Sequence, residues 1–127
     1  NHFNLSSRSK VVVCPLQKKE IKGYAVNSYS NFEDKIKERF DLYVIDGPFG
    51  SEHCSRYEIV SLAEKFSVED DFIIIFDDYH RYGEKETVGD LLQLLKSKNI
   101  KTYQGIYSGN KTVMIIATEK YKYIESL

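Results

Sequence analysis

Leu42-Tyr43-Val44-Ile45-Asp46-Gly47-Pro48-Phe49-Gly50 is a nearly continuous apolar run that stops abruptly in an acid and a turn. Apolar residues without alternation imply burial on both faces, the habit of central strands in parallel sheets. Phe72-Ile73-Ile74-Ile75-Phe76 repeats the pattern more strongly, and Asp77-Asp78 stops it. Asp at a strand end often only forms a turn or caps the next helix, and Asp46-Gly47-Pro48 has turn chemistry. Two separate strands ending in acids, each followed by a polar loop, favour a functional reading over that one.

Outward from these strands, Ile59, Val60, Ala63 and Phe66 share one face and predict a helix near Arg56 to Phe66. Val88, Leu91, Leu92 and Leu95 mark a further amphipathic helix ending near Lys98-Asn99. Lys101 to Tyr107 and Lys111 to Thr118 read as two strands joined at Gly109-Asn110, residues suited to the positive φ angles of a tight hairpin turn. On the amino-terminal side, Ser30-Asn31-Phe32-Glu33 fits a capping box. Phe32, Ile36 and Phe40 then predict a helix from about Asn31 to Arg39, with Glu33 and Lys37 placed to pair. Val11-Val12-Val13-Cys14, stopped by Pro15, reads as a buried strand, and Gly23 to Asn27 as a second short one. Alternation of strands and helices predicts an α/β domain over residues 1–127: a mostly parallel, three-layer, Rossmann-like sheet with helices on both faces and an antiparallel C-terminal hairpin.

Composition sets limits on function. The chain has 127 residues, room for one compact domain, and 18 basic against 19 acidic side chains. A net charge of −1 gives no broad electrostatic reason to expect nucleic acid or an anionic membrane, and the Lys-rich stretch Lys10 to Lys22 reads as a solvated loop. Cys14 and Cys54 have neither disulfide-framework nor zinc spacing, which points to a reducing cytoplasm. No apolar run approaches the roughly 20 residues of a membrane span. Asn1 to Lys10 lack a signal-peptide pattern and an initiator methionine, so a native chain beginning further upstream is expected.

In open α/β sheets, ligands bind beyond the carboxyl ends of the strands. If the Asp46 and Asp77 strands are neighbours about 4.8 Å apart, Asp46, Asp77 and Asp78 share a small volume. Carboxylates so placed need a cation, an Arg or Lys partner, or a raised pKa on one of them. A divalent metal such as Mg²⁺ takes oxygen ligands of this kind. Arg56 and Arg81, which open the two following helices, are candidates to neutralise the acids or hold an anionic substrate. His80, two residues past Asp78, is the candidate general base. His53 beside Cys54 has the types of a base and nucleophile, but sequence neighbours seldom face each other. Gly47-Pro48-Phe49-Gly50 is not a dinucleotide fingerprint. The scattered tyrosines read as core and surface packing.

Phe40-Asp41-Leu42-Tyr43-Val44-Ile45-Asp46-Gly47-Pro48, then Ser55-Arg56-Tyr57, then Ile74-Ile75-Phe76-Asp77-Asp78-Tyr79-His80-Arg81 resembles class I S-adenosylmethionine-dependent methyltransferases. The nearest subgroup carries an "IDGP…RY…DD…R" signature and is related to sugar and natural-product O-methyltransferases. The resemblance covers about Phe40 to Thr118. It implies that the Asp46 strand is the fourth of that fold and the Asp77 strand the fifth, with the last strand antiparallel. It also implies a cofactor contact through Asp46 and Gly47, a divalent metal held by Asp46, Asp77 and Asp78, and catalysis at Asp46. The implied substrate is a hydroxyl of a small molecule or glycan.

Asn1 to Ser30 holds only Gly23 and no glycine-rich fingerprint, so most of the expected S-adenosylmethionine site is lacking. The expectation is a carboxy-terminal half, inactive in this form, or a degenerate member acting as a non-enzymatic interaction domain. Loss of the neighbouring strands would expose the edge of the Asp46 strand, unless Val11 to Cys14 fills the place, and lead it to pair with another chain as a homodimer. A phosphate-handling domain with Mg²⁺ at clustered acids is the third reading, disfavoured by the order of its acids.

Overall fold

The computed structural model describes residues 9–126, as two small sheets and three α-helices. Strands β1 (Leu16–Ile21) and β2 (Tyr24–Tyr29) form an antiparallel hairpin. Its two-residue turn places Lys22 at φ 53° and Gly23 at φ 84°, the left-handed pair that a type I′ turn demands. The hairpin docks through Val26, which is fully buried, and through Glu58, to which the Tyr29 amide and the Ser28 hydroxyl both donate, at 2.9 and 2.8 Å.

The second sheet has the order β3-β4-β6-β5, from strands β3 (Leu42–Ile45), β4 (Ile73–Phe76), β5 (Tyr103–Ser108) and β6 (Thr112–Ala117). Helices α2 (Glu58–Ala63) and α3 (Tyr82–Ser97) supply the crossovers. The core lies on one face of this sheet. Tyr43, Ile74, Phe76, Met114 and Ile116 pack there against Ile59, Leu62 and Ala63 of α2 and Val88, Leu91 and Leu95 of α3. The Val88–Leu91–Leu95 spacing keeps one stripe of α3 on the sheet. At its end Asn99 adopts φ 61°, and the Ile100 amide bonds back to the Leu95 carbonyl, a Schellman stop that also buries Ile100.

The expected mostly parallel, three-layer Rossmann-like sheet is not what forms. Only β3 and β4 run parallel; β6 lies antiparallel to both β4 and β5. The terminal hairpin places its second strand against β4, so two of the three neighbouring pairs in the sheet are antiparallel. Helices α2 and α3 cover one face alone. On the other, Ile73, Ile75 and Ile115 are half-buried and Leu42 and Val44 are exposed.

Local expectations also change. Val11 to Cys14 forms no strand: Val11 and Val13 are exposed and Val12 and Cys14 half-buried, the Lys35 ammonium binds the Val13 carbonyl, and the first strand starts only past Pro15. The Lys-rich stretch read as a loop therefore contains β1. Helix α1 (Phe32–Lys35) is one turn rather than Asn31 to Arg39. The Ser30 hydroxyl is taken by the Pro15 carbonyl at 2.7 Å, so no capping box forms, and Asn31 sits at φ 56°. Gly109 and Asn110 are not at positive φ; with Lys111 they make a three-residue connection, closed by the Gly109 amide on the Lys111 carbonyl. No helix among the described residues is long and apolar enough to cross a membrane.

Candidate functional site

Parallel pairing in register Ile45↔Phe76 brings the ends of β3 and β4 level, and the Asp77 amide continues the ladder to the Ile45 carbonyl at 3.0 Å. Asp46 and Asp77 therefore leave the sheet side by side. Asp78 then turns at φ 57° and tucks its carboxylate inward. One oxygen from each of Asp46, Asp77 and Asp78 lies within 4.8 Å of the others. The three acids grade from exposed Asp46 through half-buried Asp77 to buried Asp78.

Positive charge surrounds them. Arg56, buried and at φ 56°, reaches Asp78 at 3.1 Å, the Pro48 carbonyl at 3.1 Å and the Asp77 carbonyl at 3.3 Å. It ties the loop after β3, with its cis Gly47–Pro48 bond, to the turn after β4. Arg81 is more open and spans Asp78 at 3.4 Å and Glu84 at 3.6 Å. Lys111, from the β5–β6 connection, meets Asp77 at 3.2 Å. Burial pushes the Asp77 carboxyl upward. Hydrogen bonds from the Asp46 side chain, the Asp78 backbone and Lys111 outweigh it and hold the group below the ordinary aspartate value. The hydrogen bond to Asp77 in turn raises the Lys111 ammonium.

Glu84 completes the cluster. It is fully buried, accepts from the Ser55 hydroxyl at 3.0 Å, and stands 3.8 Å from Arg56. Its other oxygen is buried without a hydrogen-bond partner. Four carboxyl groups thus face three cationic side chains within one small volume.

Of the expected site residues, Asp46, Asp77, Asp78, Arg56 and Arg81 come together. Arg56 is an internal clamp instead of an open substrate contact, because its guanidinium is enclosed by backbone carbonyls and acids. Gly47 lies beside Asp46 with the Tyr29 hydroxyl where a Cβ would stand, 2.6 Å away. His80 is exposed on the turn before α3 and does not join the acids. His53 turns to Tyr24, stacked at 3.9 Å, and to Glu86 at 3.0 Å. Cys54 is buried, which pushes its thiol up and away from nucleophile chemistry.

Sequence reading missed Glu84, Ser55 and Lys111. Glu84 had a signal: it precedes Val88 and Leu91 on the apolar stripe of α3, where an acid needs a buried partner. Nothing local marked Lys111. A shallow cleft of about 400 Å³, lined by Leu16, Tyr29, Asp46, Gly47 and Phe49, opens beside the exposed acid. Comparison with models of known protein families, with curated proteins and with solved structures found no match.

Proposed function

We propose that these residues form the acid-lined, metal-binding end of an S-adenosylmethionine-dependent O-methyltransferase-like domain acting on a small-molecule or glycan hydroxyl. The observation carrying this reading is the convergence of Asp46, Asp77 and Asp78 from two adjacent parallel strand ends. Oxygens within 4.8 Å of one another fit one divalent cation with ligands at about 2.0–2.6 Å. Bound there, it would supply the charge that lowers a substrate hydroxyl's pKa and orients its oxygens.

The chain's own residues do the rest. Arg56 fixes the separation of the two strand ends, which presets the acids before any ligand arrives. Asp46, the exposed member, faces the cleft. Arg81 offers the outer side of its guanidinium to an anionic group. Most of the methyl donor's expected seat is lacking, since the described residues before β3 build no glycine-rich strand–loop–helix; what remains for the donor is the Asp46–Gly47 end. The two free cysteines fit a reducing, cytoplasmic setting.

Calorimetric titration with Mn²⁺ and Mg²⁺ tests the metal centre. Saturable binding, weakened on the order of tenfold or more by Asp46→Asn or Asp77→Asn, is expected. Absence of binding, or binding indifferent to both changes, removes the centre. S-adenosylmethionine is titrated alongside. If it fails to bind with or without metal, the site remains but the transferase reading goes. The exposed edge of β3, with Leu42 and Val44, favours a second reading, a domain whose role is to bind another chain.

A further inference from the structure

Strand β3 ends the four-stranded sheet, and no described strand pairs with its outer side. The Asp41 and Ile45 carbonyls receive the Ile73 and Asp77 amides, so odd-numbered residues of β3 direct their main-chain groups toward β4. In a parallel ladder the alternate residues point the other way, which leaves the amides and carbonyls of Leu42 and Val44 facing outward. Alongside runs an apolar trough of about 360 Å³, lined by Phe32, Ile36, Phe40, Ile59 and Leu62 with β3 itself. Leu42 and Val44 are 52% and 61% exposed. Such an edge is a template for one more strand.

The same chain carries an unused strand. Val11-Val12-Val13-Cys14 has the β-branched composition of a buried strand, matches β3 in length, and is paired with nothing in a sheet. Val11 and Val13 are 75% and 73% exposed. Its own copy holds it on the far side of the Ile36–Phe40 ridge, by the Lys35–Val13 contact and a loose Lys10–Glu38 pair at 3.8 Å.

We propose that a second copy of this chain lays its Val11–Cys14 segment along the outer edge of β3, the two copies exchanging the segment reciprocally. Charge selects this occupant. Exposed carboxylates, Asp41 and Asp46, bound the edge at both ends. Pairing β3 with β3 antiparallel sets Asp41 of one copy against Asp46 of the other at both ends, a repulsive register. The valine segment brings Lys10 and no acid. Parallel, Lys10 falls beside Asp41; antiparallel, beside Asp46. Main-chain hydrogen bonds to Leu42 and Val44 give attachment, and alternate valines enter the trough. This holds whether or not the acid centre binds metal.

The test is molar mass against concentration, by sedimentation, for three chains. Val44→Pro removes an outward amide without touching the β3–β4 ladder, a place where edge strands tolerate proline. Val11→Asp with Val13→Asp makes the donor segment acidic. Wild type should double in mass as concentration rises, and each variant, folded by circular dichroism, should stay monomeric. An equal mixture keeps one of the two donor–edge contacts and should dimerise more weakly than wild type but more than either variant alone. A wild type that stays monomeric, or a dimer that survives either Val44→Pro or the double aspartate change undiminished, overturns the proposal.

Discussion

Replacing Arg56 by alanine takes away one buried cation and strands its partners. Asp78 loses its 3.1 Å contact, fully buried Glu84 loses a neighbour at 3.8 Å, and the Pro48 and Asp77 carbonyls lose their donor. Breaking a buried ion pair from one side costs about 3–5 kcal/mol, because the remaining charge stays in a poorly solvated place. Arg81 touches the same two acids but keeps 45% of its side chain in water, so Arg81→Ala should cost at most about 1 kcal/mol. For a domain of this size, a loss of 3–5 kcal/mol lowers Tm by roughly 10–20 °C. Urea unfolding followed by far-UV circular dichroism reads the difference, with the denaturant slope unchanged if the native state stays compact. Adding Asp78→Asn to Arg56→Ala should recover part of the loss, since the pair is then removed from both sides. If Arg56→Ala costs no more than Arg81→Ala, the guanidinium is solvated and free to meet a substrate, and the internal-clamp assignment is wrong.

Two further outcomes follow from the same geometry. Asp77 is held below its unfolded value, so its contribution is complete above about pH 4 and is lost as pH falls through the folded value. Asp77→Asn should flatten urea midpoints measured between about pH 4 and pH 2. It should not abolish the slope, because Asp90, which burial raises but Lys22 and Tyr57 lower further, titrates in the same direction. Gly83→Ala should destabilise by about 1–3 kcal/mol, since its Cβ would stand 2.3 Å from the Ser51 carbonyl; a thermal melt within a degree or so of wild type would show the loop yields freely.

What could be read beforehand divides by range. The β3 and β4 runs, and the acids at their ends, were legible because burial and termination are written in consecutive residues. That the ends stand level depends on pairing, which no consecutive residues set; the register Ile45↔Phe76 fixes it. Sheet direction was not legible. Nothing local in Thr112–Ala117 says that it lies between β4 and β5 instead of beyond them. The unbroken apolar run Leu42–Ile45 implies burial on both faces, yet Leu42 and Val44 stay exposed, since an apolar face records only that it tolerates cover. Ser30 and Glu33 made a sound capping pattern, overridden by a carbonyl from Pro15 that is distant in sequence. Of the two tasks that residue type leaves open for Arg56, the structure shows it against the acids, enclosed by Asp78 and two carbonyls, because residue type reveals charge but not enclosure.

Lys111 hangs on a three-residue connection and rests its ammonium on Asp77. A cation arriving from solution meets a rival that never diffuses away. Were the proposed centre to take an ion through the Asp77 oxygen that Lys111 holds, the amine would yield its place and the β5–β6 connection would lose that tie. The far hairpin is in this sense a gauge wired to the acids.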